Sequence, residues 1–201
     1  GGFTVDTECV NGVRGNAAQH LSADLINRVD DAFGLGGHTS WGVVGFSSGG
    51  TCAVDLAVMH PDTFRAFVDI GGDIAPNAGN RAQTIDRLFG GDANAWSAFD
   101  PSTVIARHGR YLDMSGIFAV PGERTADGRA NSRQAVGQAA AESLCRLGAA
   151  QGISCKIVGL PGKHDWPSAS AAFAITLPWL AGRLNTADAG QARSPDTDMR
   201  H

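Results

Sequence analysis

The 201-residue sequence has no basic cluster, no uninterrupted apolar stretch long enough to span a bilayer, and no C-x-x-C pair. Each absence removes a class of function. A net charge of -4 without a basic patch argues against a nucleic-acid partner. The most apolar late segment, Ala169 to Leu180, is interrupted by Ser170, Thr176 and Pro178, so it does not read as a membrane span. Without C-x-x-C a zinc ribbon is disfavoured. With no metal-ligand cluster, phosphate loop or dinucleotide fingerprint, neither a metal nor a cofactor is expected. There is no internal repeat, and the chain opens at Gly1 with neither an initiator methionine nor a signal peptide.

What is present fits one globular domain. Apolar residues make up 43% and charged residues 18%, and the length suffices for a single sizeable core. Residues 1–184 read as the domain and 185–201 as a polar tail of little periodicity. The four cysteines are Cys9, Cys52, Cys145 and Cys155. Cys145 falls late in an expected helix and Cys155 begins the next strand, so a local pairing is attractive and leaves Cys9 for Cys52. Two bridges imply an oxidising, extracytoplasmic location; the alternative is four buried thiols in a cytosolic protein.

Hydrophobic patterning gives the order of elements. Val5 to Cys9 reads as the end of a strand. With Asn16 as N-cap, Leu21, Leu25, Val29 and Phe33 make one apolar helical stripe that Gly34 ends. Strands follow at Trp41–Val44, running into the elbow described below, and at Phe64–Ile70, Met114–Val120 and Cys155–Leu160. Helices are expected at Ser48–His60 (stopped by Pro61), Thr84–Phe89, Ala93–Phe99, Ser102–Arg107, Asn131–Ala150 and Ser168–Leu184, the last kinked at Pro178. This alternation predicts an α/β fold with a mostly parallel sheet, helices on both faces, and reactive groups at the carboxyl ends of the strands.

The pentapeptide Gly45-Phe46-Ser47-Ser48-Gly49 joins a short apolar strand to a helix of small residues. It reads as a nucleophile elbow, in which the turn lifts Ser47 above the strand ends in a strained conformation. Glycines at 45 and 49 are expected to let strand and helix pass closely. A serine hydroxyl needs a base, and the base needs a carboxylate to fix its tautomer. His164, in Pro161-Gly162-Lys163-His164-Asp165-Trp166, directly follows the last strand and is the expected base. His20, His38, His60, His108 and His201 have no such placement. For the acid, Asp127 comes first, because it precedes a helix and is followed by Gly128. Glu123 on the same loop is second, and Asp73 after the Phe64–Ile70 strand is third. One oxyanion donor is expected from the Ser48 N–H. A loop for the second donor is not identified.

Trp41 to Pro61, Phe67-Val68-Asp69-Ile70-Gly71-Gly72-Asp73 and Pro161 to Trp166 together resemble the putative-esterase family of α/β-hydrolases, which includes antigen 85 mycolyltransferases and esterase D type enzymes. The likeness is nearest to actinobacterial antigen 85-like esterase domains, some of them on membrane-anchored chains. It runs from about Asp6 to Leu184 and is weakest between Asn80 and Ser132. The resemblance implies an α/β-hydrolase fold, Ser47 as nucleophile, His164 as base and an extracytoplasmic site. It leaves the acid open, because the loop after Val120 departs from the antigen 85 pattern. Relative to the family the N-terminal sheet strands are missing, which suggests a fragment of a longer protein and favours an oligomer; membrane association would then come only through a missing parent segment.

The first functional expectation is a serine carboxylesterase acting on a small-molecule or lipid ester. Its acyl group is expected to be short, with Phe89, Trp96 and Phe99 lining the pocket or packing the core. An acyltransferase using the same acyl-enzyme, and a non-catalytic hydrolase-like fragment, are the alternatives.

Overall fold

Short β-prone runs separated by helical crossovers pair in parallel, because each crossover returns the chain to the same end of the sheet. The computed structural model, which describes residues 5–35, 40–122 and 132–184, has this arrangement. The chain begins with a small hairpin, β1 (Asn11–Gly12) and β2 (Gly15–Asn16). A helical stretch follows: α1 (Ala17–Gln19), a π-turn at His20–Asp24, and α2 (Leu25–Phe33), closed by Gly34 at φ 61°. Then come β3 (Trp41–Phe46), α3 (Ser48–Met59), β4 (Phe64–Ile70), α4 (Arg81–Phe89), α5 (Ala93–Ser97), α6 (Pro101–His108), β5 (Ser115–Gly122), α7 (Ser132–Ala150), β6 (Ser154–Pro161) and α8 (Trp166–Arg183).

The main sheet has the order β3-β4-β5-β6, and all its pairings are parallel. Among the described residues no strand of this sheet precedes β3. Side chains of β4 and β5 alternate between two cores. Phe67, Phe118 and Val120 pack with Val54, Val58 and Leu144 of α3 and α7. Val68, Ile70, Ile117 and Ala119 face the other way, onto Ala169 and Ala172 of α8. Helices therefore cover both faces. Tyr111 ties the first core together, its buried hydroxyl donating to the Val58 carbonyl at 3.0 Å.

Two disulfides, Cys9–Cys52 and Cys145–Cys155, join the expected partners. The first fastens the N-terminal segment to α3, the second the end of α7 to the start of β6. No helix among the described residues is long and apolar enough to cross a membrane.

Two local expectations are corrected. Val5 to Cys9 is not a strand, because Glu8 (φ 47°) and Cys9 (φ 61°) take left-handed conformations that a ladder cannot accommodate. The stripe of α2 is not buried: Phe33 is 74% exposed, and of this helical stretch Ala18 is buried in the core with Leu21 and Ile26 packed against it. Helical periodicity marks a face without supplying a partner for it. The expected tail, residues 185–201, lies outside the described residues.

Candidate active site

The elbow is built by the pairing of β3 with β4. The Ser47 N–H donates to the Ile70 carbonyl at 3.0 Å, extending the parallel ladder by one residue. The chain then reverses: Ser47 adopts φ 58°, ψ -123°, and α3 starts at Ser48. A left-handed serine costs about 1–3 kcal/mol and persists only where its surroundings over-determine it. They do so here through small residues. A Cβ at Gly45 would clash with the Gly49 backbone, and a Cβ at Gly50 would strike the Asp69 carboxylate. The close approach expected at 45 and 49 is thus present at Gly45, against the Gly49 backbone, and Gly50 adds a second, although a side chain on Gly49 itself would face open space. The Ser48 N–H belongs to the first turn of α3, where helical N–H groups lack intrahelical acceptors.

His164 reaches this serine from the loop between β6 and α8. Asp165 caps α8 by accepting the Ser168 N–H at 3.0 Å, which fixes where the loop ends. The His164 ring packs against Phe46, centroids 4.6 Å apart, and Phe46 in turn against Trp166 at 5.2 Å. Nε2 of His164 lies 2.9 Å from Ser47 Oγ, across 117 positions of sequence. Burial, aided by the Arg133 charge, holds the imidazole below its ordinary pKa of 6.5, while Asp73 and Asp165 pull the other way. Gly71, at φ 64°, leaves room for the ring, since a Cβ there would stand 3.1 Å from Nδ1. A cavity of about 430 Å³ opens beside the histidine, lined by Gly71, Asp73, Asn77 and Pro121 among others.

No protein-family model matches the chain. A protein of Corynebacterium glutamicum, described as uncharacterized, is 30% identical over 190 residues, covering 91% of this chain and 42% of its own length. An S-formylglutathione hydrolase of Agrobacterium tumefaciens superposes with a TM-score of 0.58 at 16% identity, over 84% of this chain and 58% of that one. Mycobacterium tuberculosis MPT51 does so with a TM-score of 0.59 at 19% identity, over 88% and 73%. This chain has the α/β-hydrolase fold. It spans less than half the length of the Corynebacterium glutamicum relative.

Within this fold, the other sequence candidates are placed as follows. Asp127 and Glu123 lie outside the described residues, as do His38 and His201. Asp73 lines the cavity beside His164, but its carboxylate accepts from Asn77 Nδ2 at 3.0 Å. Its N–H donates to Thr51 Oγ1 at 2.9 Å, which pins the loop to the first turn of α3. Among the described residues no carboxylate hydrogen-bonds Nδ1 of His164. His20 pairs with Asp24, His60 ends α3, and His108 stacks on Tyr111. No group of described His, Cys, Asp and Glu residues has the geometry to hold a metal ion. Phe89 and Phe99 are core residues in mutual contact, whereas Trp96 lines a cavity.

Sequence reasoning overlooked the carboxylates behind the elbow. Asp69 accepts the Gly72 N–H at 2.6 Å, and burial raises its pKa to about 7. Burial likewise raises Glu8 to about 7, although Glu8 accepts the Asn77 N–H at 3.1 Å. Asp55, on α3, is wholly buried without a hydrogen-bond partner among the described residues, and burial raises its pKa well above the usual carboxylate range. An acid inside an apolar helix face was visible at Asp55, and the Asp69-Ile70-Gly71-Gly72-Asp73 run flagged the other.

Proposed function

We propose that this chain is a serine carboxylic ester hydrolase. The carrying observation is the 2.9 Å contact between Ser47 Oγ and His164 Nε2, at a serine held in a left-handed elbow. An imidazole with a lowered pKa is neutral near pH 7 and free to accept the Ser47 proton. Ser47 Oγ attacks the ester carbonyl while His164 takes its proton. The oxyanion is stabilised by the Ser48 N–H, and His164 returns the proton to the leaving alcohol. Water, deprotonated by the same imidazole, then cleaves the acyl-enzyme and regenerates the serine.

The orienting acid in this reading is Asp127, with Glu123 second, both on the loop after β5. Asp73 is third, supported by its place in the cavity beside His164. The substrate is a small-molecule or lipid ester, and the two disulfides favour an extracytoplasmic site of action. The test is hydrolysis of p-nitrophenyl acetate together with fluorophosphonate labelling, for the chain and for Ser47→Ala. Turnover and labelling that vanish in the variant support the reading. A chain that neither turns over nor takes the label overturns it in favour of a non-catalytic hydrolase-like module.

A further inference from the structure

We propose that a second cavity, adjoining the His164 site, seats a medium-length aliphatic limb of the ester against Trp96. The proposal rests on the Ser47–His164 reading and adds a substrate class to it. The cavity measures about 600 Å³, within the ~300–1,000 Å³ range of small-molecule sites. It adjoins the histidine cavity, with Asp73, Asn77 and Val136 lining both. Trp96 and Ala139 form part of its wall. Ile74, 45% exposed, and Val136, 63% exposed, also line it and leave apolar surface in water.

The two carboxylates beside this space are already engaged. The Asp100 carboxylate caps α6 through the Thr103 N–H at 3.1 Å. The Asp73 carboxylate is held by Asn77. The Arg81 guanidinium stacks over the Trp96 ring at 4.4 Å, which steadies the indole. The walls therefore offer apolar area, and a neutral hydrocarbon chain gains most from them. An apolar limb that enters raises kcat/KM by about fourfold for each methylene buried. The short acyl group expected from sequence, where no apolar cap was evident, leaves this cavity unused.

The test compares p-nitrophenyl octanoate with p-nitrophenyl acetate, and octyl acetate with ethyl acetate, so that the arms separate an acyl limb from an alcohol limb. The expected result is a long-to-short kcat/KM ratio well above one in one arm, falling at least tenfold in Ala139→Phe, which fills the cavity. Trp96→Ala removes the wall and lowers the same ratio. Ala139 is exposed, so its variant folds even if Trp96→Ala does not. Ratios unmoved by both variants in both arms overturn the subsite. If the wild type hydrolyses no ester, the hydrolase reading fails, and calorimetric titration of octanamide decides the cavity by itself. Binding lost in Ala139→Phe supports it, and absence of binding to the wild type overturns it.

Discussion

The serine and the histidine stand on supports of opposite character. Ser47 leads into α3, nine of whose twelve residues are buried. His164 leads into α8, where only Ala169, Ala172, Thr176 and Leu180 are buried, and where Ile175 is 60% and Trp166 76% exposed. A strained backbone needs surroundings that leave it no alternative, which a dense core of small residues supplies. An imidazole needs only a defined rotamer and loop, which the Asp165 cap and the Phe46 ring provide. The serine is thus held by packing and the histidine by local contacts.

The sharpest test removes each reactive group in turn. Ser47→Ala and His164→Ala should each lower kcat/KM for p-nitrophenyl acetate by at least about a thousandfold, with Tm little changed in either, as steady-state kinetics and thermal melts would show. The buried support breaks next. Gly45→Ala drives a Cβ into the Gly49 backbone and should cost about 3 kcal/mol or more, read as a lower urea midpoint together with lost fluorophosphonate labelling.

Acidity probes the same support. The carboxyls of Glu8 and Asp69 rise from 4.5 and 3.8 to about 7 in the fold. A raised carboxyl binds its proton more tightly folded than unfolded, so its contribution is fully present below about pH 4 and is lost as pH climbs towards 7. Tm should therefore be several degrees higher at pH 5 than at pH 8, and Asp69→Asn should flatten that slope by raising Tm at pH 8. The activity of the intact chain runs the other way. It should rise with pH through a midpoint below 6.5, because His164 must be neutral and its pKa is lowered.

The exposed support should give the smallest responses. Trp166→Ala removes the ring behind Phe46 and should reduce kcat/KM about three- to fivefold, as expected for ~0.5–1 kcal/mol of aromatic contact. Ile175→Ser on the outer face of α8 should shift stability by no more than about 0.5 kcal/mol. A large loss from Ile175→Ser would show that the α8 support is as tightly held as α3.

Much of this was legible in the sequence because it is local. The elbow, the strand before it, the stop at Pro61 and the position of His164 after the last strand are short patterns whose physics lies within a few residues. Less legible was what packing chooses. Gly49 belongs to the motif yet has open space where a side chain would go, while a side chain at Gly50 would meet Asp69, nineteen positions away. Val5 to Cys9 carries strand-like residues, but the Cys9–Cys52 bridge and two left-handed residues make it a turn. Phe89, Trp96 and Phe99 were equivalent as letters, and only their surroundings separate two core rings from a cavity wall.

By itself, then, the sequence determined the alternation of strands and helices and the strand–serine–helix turn, since periodicity and turn chemistry act along the chain; it favoured the local Cys145–Cys155 pairing and left Cys9 and Cys52, 43 positions apart, for the fold to join. Tertiary structure alone decided that Nε2 of His164 meets Ser47 Oγ, that Asp55 is buried without a partner among the described residues, and that two cavities adjoin beside the histidine. Those outcomes depend on distances and solvent exclusion between residues far apart in the chain, which exist only once the sheet and its two helical layers have packed.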